Sequence, residues 1–306
     1  MRTCGSDDTR TIQRREGIHD MPRMYIIGAG TPTPTPERFG SAYVVDTGSD
    51  LVMFDCGPAA THKLVKAGLF PTQIDSLFFT HHHFDHDADY PCFLLCRWDQ
   101  SNGEEGLLSV RGPSLTEKIT EGLIGEDGVF AHDWKARVGS PISQRVFVNR
   151  GGTLPRPAPV VDSADIEAGA VVEGVDWTVR SAEAVHVQPF LDSLAYRIDT
   201  DSGSVVITGD TEPCASVINL AKGATTLVSM CWDHQDAMEE CGEAPGQTGT
   251  RGAGEMAQAA GVEKLVLVHR GPGLEGTESE QRALADAGAI FDGEIILADE
   301  LDVLDL

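Results

Sequence analysis

The chain has 306 residues, 41% of them hydrophobic, enough to bury a sizeable core as one large domain or two fused halves. Its 23 basic and 48 acidic side chains leave a formal charge of −25, a surface that repels polyphosphate backbones and argues against nucleic acid as a partner. No window approaches 18 consecutive apolar residues, so no membrane span is expected, and seven cysteines without a CxxC pair suit free thiols in a reducing, cytoplasmic compartment.

Residues 1–22 are polar and patternless and read as a flexible tail; the rest, 23–306, reads as a single domain. Arg14-Arg15 is followed by no apolar stretch, so it is not an export signal. Met24-Tyr25-Ile26-Ile27 is a first strand, closed by Gly28-Ala29-Gly30 and a Thr-Pro loop. Residues 41–46 and 51–55 flank Thr47-Gly48-Ser49-Asp50 as a β-hairpin, and Ala59 to Ala67 reads as a helix stopped by Gly68. Residues 74–80 form the next strand. Asp89-Tyr90-Pro91 then supplies a cap and a first-turn proline for a helix over Cys92 to Trp98, on which Cys92 and Cys96 are expected as small core residues.

The stretch 99–165 is rich in glycine and proline and shows little periodicity. A second strand-rich half follows. Residues 177–182 lead to Val185-His186-Val187, and a hairpin over 194–199 and 204–210 turns at Asp201-Ser202-Gly203. Strands at 227–230, 265–268 and 294–297 alternate with helices at 255–260, capped by Gly261, and 278–287. Two strand-rich halves with intervening helices give an α/β (α+β) protein of two sheets packed face to face and covered by helices.

Between strand and helix, His81, His82, His83, Phe84, Asp85 and His86 crowd four imidazoles and a carboxylate into six residues. Imidazole nitrogen and carboxylate oxygen are transition-metal ligands, with zinc the commonest occupant. A polar turn alone would not need so many titratable groups. His186, Asp210 and His269 also stand at the ends of apolar runs, where a folded sheet can gather them at one edge. Together with His81, His83, Asp85 and His86 they make seven N/O donors, enough for two metals.

This pattern resembles the metallo-β-lactamase superfamily, whose HxHxDH signature is matched by His81, His83, Asp85 and His86. The later His, Asp and His ligands of that family fall in order on His186, Asp210 and His269. The loop from Gly28 to Gly40, Phe54-Asp55-Cys56-Gly57 and Thr208-Gly209-Asp210-Thr211 look like the branch of tRNase Z and related phosphodiesterases. The resemblance covers about 24–300. It implies a four-layer αβ/βα sandwich of two mixed sheets with the site at the sheet edges. His81, His83 and His186 would hold one metal, and Asp85, His86 and His269 a second, with Asp210 bridging. Two zinc ions are expected, manganese or iron being compatible with the same donors. The implied chemistry is hydrolysis by a metal-bridging hydroxide. Asp55 and Thr80 would orient imidazoles, and His82 and Phe84 would turn away or line the pocket.

The departures shape the rest of the expectation. Gln247 stands where tRNase Z has a histidine, and a glutamine shuttles no proton at pH 7. Only 24 residues separate His186 from Asp210, too few for the tRNA-gripping arm. Asp233 or His234 is therefore expected to supply the leaving-group proton, and the substrate to be a small ester, lactone, phosphodiester or similar electrophile. Hydrolytic dehalogenation of an activated aromatic and an iron redox enzyme on the same fold are the alternatives. A non-catalytic metallo-fold would be attractive only if ligands were missing. Dimers are common in this family, so a homodimer is compatible with the resemblance.

Overall fold

Strand pairing in the computed structural model, which describes residues 22–306, builds two seven-stranded sheets. The first contains β1 (Arg23–Ala29), β2 (Ser41–Asp46), β3 (Leu51–Phe54), β4 (Ser76–Phe78), β5 (Ser109–Gly112) and β6 (Asp162–Asp165), and its far edge is β14 (Val303–Asp305) beside β1. The second runs in the order β13 (Glu294–Leu297), β12 (Lys264–Val268), β11 (Thr226–Met230), β10 (Gly203–Ile207), β9 (Leu194–Thr200), β8 (Trp177–Glu183) and β7 (Val171–Glu173). Each is mixed: β3 to β6 are parallel, as are β10 to β13, and the remaining pairs are antiparallel. The expected tail falls outside the described residues, apart from Pro22.

The strands are apolar on both faces because both faces are covered. In β1, Met24 and Ile26 enter the core between the sheets while Tyr25 and Ile27 face the outer helices. In β12, Val266 and Val268 point inward, and Leu265 and Leu267 outward. The outer layer on the first sheet includes α1 (Ala60–Lys66), α3 (Tyr90–Gln100) and α4 (Thr116–Ile124), through Leu64, Phe93 and Ile124. On the second sheet it includes α7 (Ala215–Ala221), α9 (Thr250–Ala260) and α10 (Thr277–Gly288), through Val217, Met256 and Ala283. The expected four-layer sandwich is therefore the observed one. The one-turn α2 (Phe84–Asp87), α5 (Ala131–Gly139), α6 (Pro141–Asn149) and α8 (Gln235–Cys241) complete the helices named here.

Several local expectations need correction. The stretch 99–165 holds β5, β6 and three helices, whose short amphipathic runs are broken by Gly125, Gly128 and Ser140-Pro141. Asp89 does not cap its own helix; its Oδ2 accepts the Thr61 backbone N–H at 2.6 Å, in the first turn of α1. Cys92 is exposed and Cys96 half-buried, because α3 turns Phe93 and Leu94 to the sheet and its sulfur-bearing face to solvent. Their sulfurs lie 4.0 Å apart. Among the described residues no helix is long and apolar enough to cross a membrane.

Candidate metal centre

Topology gathers the donors. β8, β10 and β12 run the same way, since β9 is antiparallel to both β8 and β10 and the pairs β10–β11 and β11–β12 are parallel. Their carboxyl ends deliver His186, Asp210 and His269 to one edge of the second sheet. At the facing edge of the first sheet, the loop after β4 delivers His81 and His83, and α2 folds Asp85 and His86 back into the same space. All seven predicted donors are brought together.

They fall into two groups. His81 Nε2 and His186 Nε2 lie 3.1 and 3.3 Å from His83 Nδ1, and 3.9 and 3.8 Å from Asp210 Oδ2. On the other side, His86 Nε2 and His269 Nε2 lie 3.5 and 3.2 Å from Asp85 Oδ2, and 3.4 and 3.3 Å from Asp210 Oδ1. Asp210 thus turns one oxygen to each group. Bonds of about 2.0–2.1 Å in a tetrahedron separate ligand atoms by about 3.3–3.4 Å, which these spacings bracket. Asp85 Oδ1, His86 Nε2 and Asp210 Oδ1 are buried without a hydrogen-bond partner. Such atoms are costly unless a cation engages them. The donor set fits two divalent ions.

The electrostatics agree. Burial favours protonation of Asp85 and Asp210, but His86 and His269 outweigh it and hold both carboxyls below their ordinary range. Burial opposes protonation of His86, yet Asp210, Asp55 and Asp85 overcome this and hold it well above the usual imidazole value. His81 and His83 are pushed down, first by burial and then by neighbouring imidazoles. The buried carboxylates thus favour positive charge at the centre of the site.

A second set of contacts fixes the rings. Asp55 Oδ2 accepts from His86 Nδ1 at 2.8 Å, and Asp55 Oδ1 accepts the Thr80 backbone N–H at 2.7 Å. Thr80 Oγ1 donates to Asp55 and accepts from His81 Nδ1 at 3.1 Å. His186 Nδ1 donates to the Gly246 carbonyl at 2.7 Å. These bonds leave Nε2 free on each of the three rings. Asp55 and His269 adopt φ of 59° and 50°, conformations that cost non-glycine residues about 1–3 kcal/mol each and persist when the surroundings over-determine them. Gly209, at φ 57°, must be glycine: a Cβ there would sit 2.6 Å from Thr80 Cβ.

The other expected residues lie as follows. His82 turns away, bonded to Thr116 Oγ1 at 2.8 Å and paired with Asp87, while Phe84 is exposed. Trp232 lines the site, its ring centroid 6.1 Å from that of His269. Of the two expected proton donors, His234 turns to α10. His234 Nε2 bonds Ser279 Oγ at 2.8 Å and its Nδ1 lies 3.4 Å from Asp286, both on α10. Asp233 Oδ1 accepts the His234 backbone N–H at 2.7 Å. α8 starts immediately after these residues, and its Asp236 pairs with Arg282 of α10. The Gly246 carbonyl was not anticipated; its only signal is Pro245-Gly246, a turn dipeptide ahead of Gln247.

Fold and donor set together define a metal-dependent hydrolase built on a four-layer sandwich. A model described as the metallo-beta-lactamase superfamily matches residues 35–89. A protein named Ribonuclease Z from Mycobacterium sp. strain KMS is 30% identical over 92% of this chain and 95% of its own length. The chain belongs to the metallo-beta-lactamase superfamily and is a metallo-hydrolase. Two solved structures share the fold: YhfI of Bacillus subtilis, with a TM-score of 0.70, 20% identity and coverage of 94% of this chain and 100% of that one, and the short form of human tRNase Z, with 0.62, 19%, 92% and 98%.

The full-length relationship to a protein named Ribonuclease Z overturns the expectation that nucleic acid is excluded as a partner. A charge of −25 averages over the whole surface, whereas RNA is engaged by local groups. The short His186–Asp210 spacing and Gln247 concern particular recognition and proton-transfer devices, not the class of polymer.

Proposed function

We propose that residues 23–306 act as one metal-dependent phosphodiesterase, with RNA among its substrates. The observation that supports it best is Asp210, one oxygen turned to each of two donor groups at spacings suited to divalent ions. His81, His83, His186 and Asp210 would hold one ion, and Asp85, His86, His269 and Asp210 the other, with zinc the expected metal. Bound divalent cations supply Lewis acidity and make water nucleophilic near neutral pH. The chain's own contribution is orientation: Asp55, Thr80 and the Gly246 carbonyl hold the Nδ1 protons of His86, His81 and His186. Trp232 supplies an apolar wall beside His269 against which a base or an aryl group can stack. The RNA reading rests on the full-length relative's name.

The test uses protein loaded with zinc beside its Asp210→Ala variant. Both are assayed on bis(p-nitrophenyl) phosphate and on a 3′-extended tRNA transcript. The wild type should cleave at least one substrate, and the variant should lose roughly 10²–10³-fold or more. Equal rates from the two proteins, or no cleavage of either substrate, would sink the reading. Cleavage of the aryl diester alone would restrict the substrate to small phosphodiesters.

A further inference from the structure

Three of the four imidazoles facing the two donor groups through Nε2 have a visible partner on Nδ1: Thr80 Oγ1 for His81, Asp55 for His86 and the Gly246 carbonyl for His186. His269 does not. Its Nδ1 is buried without a hydrogen-bond partner, although the residue is only 1% exposed. A ligating histidine almost always donates its other ring N–H to a carboxylate, a carbonyl or a water, so this ring requires an acceptor.

The core side of the site holds a small enclosed space that offers one. About 10 Å³ is open to the centre of a water there. Its wall includes the donors His86, Asp210 and His269 together with Ser41 and Tyr43, and Val228 and Val268 from the inter-sheet core. Ser41 opens β2 and is fully buried; its Oγ has the Tyr43 hydroxyl as a polar neighbour but makes no well-formed hydrogen bond. Four orphaned polar atoms belong to residues on the wall of this cavity; His86 Nε2 and Asp210 Oδ1 face the second donor group, which leaves Ser41 Oγ and His269 Nδ1 for a water, and the space is close to the roughly 10–15 Å³ that one needs. Leaving both unsatisfied would cost about 1–3 kcal/mol each.

We propose that one buried water occupies this cavity, accepts the Nδ1 proton of His269 and bonds to Ser41 Oγ, making Ser41 a positioning residue for the second ion. The water does for His269 what Asp55 does for His86. Ser41 acts only through it, and through the ring orientation that it fixes. The backbone of His269, held at φ 50°, leaves the ring dependent on this second anchor. The inference rests on the two-ion reading of the site, but its readout is metal binding rather than turnover.

The experiment titrates zinc into metal-free wild type, Ser41→Ala and Ser41→Val in competition with a chromophoric chelator. Urea unfolding of each protein runs beside it, with a high-resolution structure of the zinc-loaded wild type. Val fills the cavity and expels the water, so one of the two affinities should fall about 10–100-fold, the other changing by about two-fold at most. Ala keeps the space but removes a partner, and should give a smaller loss in the same site; it carries the test alone if the Val variant fails to fold. The structure should show a water between His269 Nδ1 and Ser41 Oγ. Unchanged constants in folded variants, or an ion in the cavity, would overturn the proposal while leaving the two-ion reading intact. A wild type that takes up fewer than two ions would overturn both.

Discussion

At the edge of the first sheet, four donors come from one six-residue stretch, whereas at the edge of the second, His186, Asp210 and His269 come from three strand ends spread between positions 186 and 269. The two edges are also secured differently. His81 is tied by the preceding Thr80, and His86 by Asp55, which follows the neighbouring strand β3 of the same sheet. His186 is tied by a carbonyl sixty residues away in sequence, and His269 has no direct partner. One edge is thus encoded locally. The other exists only when a parallel sheet sets its strands in register, and it should respond more to distant changes.

The largest expected effect comes from the residue that joins the two edges. Asp210→Ala should abolish binding of one ion, weaken the other, and cost roughly 10²–10³-fold or more in turnover, as metal stoichiometry and kcat would show. Next is Asp55→Ala, which strips the His86 ring of its acceptor: metal affinity should drop about 10–100-fold by chelator competition. Removing metal with a chelator should lower the Tm by roughly 4 °C, the shift expected for a chain of 306 residues when an ion at about 100 times its Kd binds only the folded state. Gly246→Ala tests the second edge. A Cβ at φ 77° is strained and meets the His186 carbonyl, so a stability loss of about 1–2 kcal/mol in urea should accompany weaker metal binding. If Gly246→Ala spared metal binding while Thr80→Val did not, the contrast between the edges would be reversed. The smallest effect is expected from His82→Ala, about 1–2 kcal/mol of stability from its bonds to Thr116 and Asp87, with metal stoichiometry unchanged.

The same contrast explains what the sequence revealed. His81 to His86 declare their chemistry because ligands six residues apart need no fold to be read together. His186, Asp210 and His269 look like ordinary strand-end residues singly, and gained meaning from the resemblance to a family. Sheets buried on both faces were readable from continuous apolar runs such as Leu265-Val266-Leu267-Val268. The 99–165 region was not, because its helices are short and only partly buried, leaving little periodicity. The orientation of His234 was not legible, because sequence says nothing about rotation: the short segment 232–234 sends Trp232 towards His269 and His234 towards α10. Charge misled more broadly, since a net count carries no information about where the charges lie.

The division of donors between 81–86 and 186–269 also has a consequence for biosynthesis. A ribosome that has released the first hundred residues has already exposed His81, His83, Asp85 and His86, but none of the donors that complete either group. Metal encountered at that stage can be held only by an incomplete, exchangeable set of ligands. The set of His81, His83, His186 and Asp210 can close once β10 has formed, whereas the set with Asp85 and His86 waits until β12 docks and brings His269 to the edge. Retention of the second ion against a chelator would therefore report the docking of β12, which a pulse-chase experiment could time.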